Sequence, residues 1–136
     1  MISVEGCVMP NRPLTNLEIM NAVKKLKIPL FRGVFVSDNL PVEPKRMDCG
    51  VLNLDDTLGN GTHWVAWYRD NSKKYYFDSY GILPPDELKR YLRSPIFYNT
   101  EQIQPKQEVF CGHLCLYVLK QLSLGKHLQE IVNNLH

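Results

Sequence analysis

Apolar and polar residues change their period several times along this chain. In LEIMNAVKKLKI the apolar residues Leu17, Met20, Val23 and Ile28 recur at near-helical intervals, and Thr15-Asn16-Leu17-Glu18 has the form of a capping box. An amphipathic helix of about three turns is expected there. Past Pro29 the pattern changes. FRGVFV reads as a strand, SDNLPVEPKRMD with its two prolines as a loop, and CGVLNLDD as a further strand ending in a polar corner. The loop would either wall a groove or simply connect the strands through solvent.

GTHWVAWYRD places His63, Val65 and Trp67 on one face of a strand and Trp64, Ala66 and Tyr68 on the other. One tryptophan is expected in the core and the other along a groove. A polar turn, Asp70-Asn71-Ser72, leads into KKYYFDSYG, so the two runs read as a hairpin whose pairing brings Asp78 near His63. Just upstream, Gly59-Asn60-Gly61 would let the backbone, at Gly61 in particular, pass close to a bound chain. PDELKRYLR has the prolines and acids of a helix start, and IFYNTEQIQ gives one or two short strands. CGHLCLYVLKQLSLG carries Leu114, Cys115, Val118, Leu119 and Leu122 at helical spacing before Gly125, and KHLQEIVNNLH closes with Leu128, Ile131, Val132 and Leu135 inward.

At 136 residues, 44% hydrophobic and 22% charged, the chain suits one globular domain over residues 1–136. Strands and helices in this order imply an α+β fold, a mixed or antiparallel sheet packed against the Cys111 helix. A net charge of +2 with scattered lysines gives no reason to expect nucleic acid. Four cysteines without framework spacing suggest a reducing, intracellular compartment. No stretch approaches transmembrane length, no membrane partner is expected, and the N-terminal residues lack a secretory pattern.

The chemistry centres on Cys111-Gly112. A thiol in the first turn of a helix meets N–H groups without intrahelical partners and the positive end of the macrodipole, which favour the thiolate. His63 is the candidate base, and Asp78 could hold its tautomer as the third member of a triad. Gln102, Gln104 and Gln107 each offer an amide that could join the Cys111 N–H in stabilising an oxyanion. Taken singly, each residue has a plainer explanation. Cys111 would be a core thiol, His63 a core imidazole, Asp78 a turn residue and Gln104, before Pro105, an exposed strand end. Their joint occurrence favours catalysis.

Zinc is the rival chemistry, with Cys111, His113 and Cys115 joined by Cys49 or His63. On a helix, however, position 113 lies nearly opposite 111 and 115, and no C-x-x-C knuckle is present. No metal is expected. Cys115 reads as core and His113 as solvent-facing, while His127 and His136 show no partner pattern and Asp55 and Asp56 are ordinary turn acids.

The order His63, Asp78, Gln104, Cys111, with His-Trp, Asp-Ser, and a Gln seven residues before Cys-Gly, resembles the adenovirus-type endopeptidases and the related ubiquitin-like-protein proteases. The resemblance runs from about Cys49 to Leu124. FRGVF, CGVLNLD and GTHWVAWY further look like the adenain-like proteases of large DNA viruses and Polinton (Maverick) transposons. It implies a papain-like core, with His63 as base, Asp78 as orienting acid, Gln104 as oxyanion donor and Cys111 as nucleophile. Trp64 and Gly61 would contact substrate. Adenovirus enzymes usually carry Glu at the third position, whereas Asp78 matches the ubiquitin-like-protein proteases.

The resemblance further implies a thiol endopeptidase cutting near small, Gly-Gly-like sites. Its substrates would be capsid or core precursors, and its setting the virion and the host nucleus or cytoplasm. A deconjugating isopeptidase for a ubiquitin-like modifier, and a catalytically silent scaffold or binding module, are the alternatives. The chain ends 25 residues after Cys111, where adenovirus enzymes continue. The catalytic residues are therefore carried over and DNA activation is not; an activating peptide stays an open partner, and no cofactor is expected.

Overall fold

The computed structural model describes residues 2–36, 39–41, 45–54, 63–103 and 110–135. Gly61, Gln104 and Gln107, with Asp55, Asp56, Gly59, Asn60 and His136, lie outside the described residues.

Among the described residues, eleven elements follow in the order β1 (Ile2–Val4), β2 (Cys7–Met9), α1 (Asn16–Leu26), β3 (Phe31–Val36), β4 (Asp48–Asn53), β5 (Trp64–Arg69), β6 (Lys74–Phe77), α2 (Asp86–Leu92), β7 (Phe97–Tyr98), α3 (Cys111–Ser123) and α4 (Leu128–Asn133). The five strands from β3 to β7 form one sheet in sequence order. It is mixed: β3–β4 and β6–β7 pair parallel, while β4–β5 and β5–β6 pair antiparallel. The expected α+β architecture is present, with helices on both sides of that sheet.

Alternation along the strands divides the core. Cys49, Val51, Trp64, Ala66, Tyr68, Tyr75 and Phe77 face α1, α3 and α4. Leu52, Val65, Trp67 and Tyr76 turn the other way, onto Leu88, Tyr91 and Leu92 of α2. Both tryptophans are therefore buried, Trp64 at 3% and Trp67 at 0% exposure.

Local signals account for several elements. Thr15 accepts from Glu18 N while the Glu18 carboxylate accepts from Thr15 N, a complete capping box that starts α1. Asp70 Oδ1 gathers Ser72 N, Ser72 Oγ and Lys73 N, the Asx turn that joins β5 to β6. The prolines before α2, the acids of its first turn and the apolar set of α4 also fall where the sequence put them.

Two expectations need correction, and one element was not anticipated. α1 buries Ile19, Ala22, Val23 and Leu26, whereas Leu17 and Met20 are exposed. Val23 and Ile28 of the expected set are buried, so the inward stripe is rotated and not lost. The N-terminal residues form a two-stranded antiparallel hairpin, β1–β2, which no periodicity announced in strands of three residues. That hairpin region covers α3, so His113 is buried at 3% exposure rather than solvent-facing, with Nε2 2.9 Å from the Pro10 carbonyl. Burial lowers the pKa of this imidazole. Gln121 Nε2 likewise donates to Glu5 Oε1 at 2.8 Å, so α3 is enclosed on nearly every side.

At the end of β4 remote from His63, Asp48 is fully buried. Its carboxylate accepts from Trp67 Nε1 and the Tyr91 hydroxyl and meets Arg32 and Arg69. This cluster ties β3, β4, β5 and α2 together. Gly50 is required beside it for space: a Cβ there would stand 2.3 Å from Cη2 of Trp67. Gly50→Ala should cost roughly 1–3 kcal/mol through overpacking, lowering the urea midpoint at an unchanged m-value. An unaltered midpoint would contradict this packing.

Candidate active site

His63 stands immediately before β5 and Asp78 immediately after β6. Register explains their meeting. Ala66 pairs with Phe77, so continuing the hairpin backwards along β5 and forwards along β6 converges on these two side chains. The His63 carbonyl accepts from Leu54 N at 2.8 Å, fixing the backbone to the β4 side. Its Nε2 lies 2.6 Å from Asp78 Oδ1.

The carboxylate is itself held. Asp78 Oδ1 accepts from Tyr80 N at 2.8 Å. Asn99, directly after β7 and buried, accepts from Asp78 N at 3.0 Å and donates to Asp78 O at 2.6 Å and Glu101 O at 3.2 Å. Its side-chain amide thus continues the β6–β7 ladder where the strands part. Gly81 completes the turn with φ +72°, and a Cβ there would come within 2.5 Å of the Thr100 carbonyl oxygen. Tyr80 covers one face of the imidazole in a parallel stack, centroids 4.0 Å apart and planes 1° apart.

On the other side, Cys111 opens α3, and the Phe110 cap gives no side-chain hydrogen bond to the helix start. The Cys111 sulfur accepts from Trp64 N at 3.4 Å, and the residue is 4% exposed. His63 Nδ1 is buried and makes no hydrogen bond of normal geometry among the described residues, and Cys111 is near enough to raise the pKa of the ring. Burial by itself would depress the imidazole pKa. The Asp78 and Cys111 interactions outweigh burial and lift it to about 9. At neutral pH the ring therefore carries its second proton between a carboxylate and a sulfur.

Among the candidates from the sequence, the structure brings His63, Asp78 and Cys111 together. Gln102 is exposed, and Gln104 and Gly61 lie outside the described residues. Trp64 sits deeper than a groove-lining residue was expected to, with Nε1 donating to the Leu14 carbonyl at 3.0 Å. It nonetheless lines a groove of about 470 Å³ that includes Leu14, Asn16, Val34, Phe35 and Asn53. The same residue's N–H meets the Cys111 sulfur, so groove and thiol share a wall. Tyr80 and Asn99 escaped the sequence reading. Tyr80 is only two residues from Asp78, but nothing in the local pattern marks Asn99, 21 residues further on.

The zinc reading is not assembled. Cys115 Sγ donates to Trp64 O, Cys49 Sγ to Pro29 O, and His113 meets Pro10 O. Among the described residues no group of three or more His, Cys, Asp or Glu could hold a metal ion, all four cysteines are free thiols, and no helix is long and apolar enough to cross a membrane.

The fold is similar to that of a solved protease. The selenomethionine crystal structure of the ASFV pS273R protease superposes with a TM-score of 0.61 at 17% sequence identity, covering 90% of this chain. This chain spans 62% of that one. No protein-family model and no curated protein matches the sequence.

The pair has a consequence for stability. The folded imidazole titrates at about 9 against an ordinary 6.5, so folding is linked to proton binding. That contribution is complete below about pH 6.5 and is lost as pH rises through about 9. Asp78→Asn should shrink this pH-dependent loss, read from urea unfolding between about pH 6 and about pH 10. Identical pH slopes for the variant and the wild type would refute the assignment.

Proposed function

We propose that the chain is a cysteine endopeptidase. The observation carrying this reading is His63 set between the Asp78 carboxylate, at 2.6 Å, and the thiol that opens α3. The Cys111 thiolate would attack a peptide carbonyl carbon, forming a thioester precursor whose oxyanion meets the N–H groups of the helix start. Protonated His63 then gives its Nδ1 proton to the leaving amine as the C–N bond breaks. The neutral ring next takes a proton from water, which attacks the thioester and releases Cys111. Asp78 stabilises the imidazolium through Nε2 and fixes which nitrogen faces the sulfur. Gln104 enters as the side-chain oxyanion donor on the resemblance alone.

The finer reading is an adenain-like protease that matures viral or transposon capsid and core precursors, taking small residues next to the cut bond. It is supported by the order and spacing of the four residues in the sequence and by the likeness of the fold to that of a solved protease. Asp rather than Glu at the orienting position keeps a deconjugating isopeptidase as the second reading.

Profiling a random peptide library by mass spectrometry should show cleavage next to Gly or Ala. His63→Ala should lower kcat/KM by roughly 10²–10⁴-fold, and Cys111→Ala should abolish turnover. Equal cleavage beside bulky residues would refute the small-residue preference. Cutting confined to ubiquitin-type or SUMO-type fusions would select the isopeptidase, and hydrolysis surviving in Cys111→Ala would overturn the mechanism.

A further inference from the structure

The hairpin of β5 and β6 is uneven. His63 O accepts from Leu54 N, so residues 63, 65 and 67 direct their backbone groups to β4 and residues 64, 66 and 68 direct theirs toward β6. The last β5–β6 pair is Ala66 with Phe77. Two residues further on, Trp64 would pair with Ser79, but the chain has turned away and the Ser79 carbonyl accepts from Ile103 N at 2.8 Å. The N–H and C=O of Trp64 are left without a strand partner in the interior, where an unpaired backbone group is costly.

Two thiols replace the missing strand. Trp64 N donates to Cys111 Sγ at 3.4 Å, and Cys115 Sγ donates to Trp64 O at 3.3 Å. Cys111 and Cys115 lie one turn apart on the same face of α3, which matches the two ends of one residue's backbone. Cys115 is fully buried, and burial pushes its thiol pKa well above the ordinary value, so it remains a donor.

We propose that Cys115 is a positioning residue for Cys111: by holding the Trp64 carbonyl, it aims the N–H of the same residue at the reactive sulfur. Trp64 directly follows His63 in the chain, so its N–H held toward α3 sets where the Cys111 sulfur lies relative to the imidazole. The inference rests on the reading of Cys111 as the nucleophile.

The test is the rate of Cys111 alkylation by iodoacetamide as a function of pH, read by mass spectrometry, and it needs no substrate. Four proteins are compared: wild type, His63→Ala, Cys115→Ala and Cys115→Ser. Cys115→Ala should slow Cys111 at neutral pH by about tenfold, while Cys115→Ser, which restores a donor, should stay near wild type. Ala and Ser variants that both match wild type, or that are slowed equally as loss of packing would cause, overturn the proposal.

A wild-type Cys111 whose reaction does not depend on His63 would overturn the protease reading and this inference with it. A His63-dependent wild type with an indifferent Cys115→Ala overturns this inference alone. Should Cys115→Ala not fold, the Trp64 amide resonance of the wild-type protein decides. It should move downfield as Cys111 ionises and hold still in Cys111→Ala, and an amide that ignores the ionisation contradicts the proposal.

Discussion

The packing of α3 against the end of β5 is the constraint on which the site depends. A strand that outruns its neighbour inside a protein exposes backbone groups that must find partners. Here the partners come from the helix, and the same contact delivers a thiol to the residue that follows His63. Burial of α3 between the sheet and the β1–β2 hairpin region leaves the helix little freedom to slide. Lys120 Nζ adds a hydrogen bond to the Leu26 carbonyl at the end of α1. A rigid helix start is what the proposed nucleophile needs in order to stay close to its proposed base.

Two buried aspartates at opposite ends of the sheet show how environment separates structure from chemistry. Asp48 is surrounded by an indole N–H, a phenol and two guanidinium groups. Such a carboxylate is satisfied by fixed charges and serves to pin elements together. Asp78 instead meets backbone N–H and one imidazole, a partner that can itself gain and lose a proton. Asn99 and Tyr80 hold that pair without contributing charge. The difference is visible in the side chains facing each carboxylate and not in how deeply each is buried.

Legibility in the sequence followed the range of the interactions involved. The capping box at Thr15, the turn at Asp70 and the alternation through β5 are local, and each formed as read. The approach of His63 and Asp78 was legible because a short hairpin fixes register over few residues. The N-terminal hairpin was not, since three-residue strands are too short for a period to appear. The faces of α1 and the burial of His113 depend on which element lies opposite, information no helical period contains. Asn99 belongs to the same class, because its role arises only from the parallel docking of β7 beside β6.

The central claim is that His63 is coupled at once to Asp78 and to Cys111, and imidazole NMR of His63 across a pH titration measures that coupling most directly. The account predicts a titration near 9 in the wild type, lowered when Cys111 is replaced by Ala and lowered again when Asp78 is replaced by Asn. A His63 ring that titrates near the ordinary 6.5 in all three proteins would contradict it.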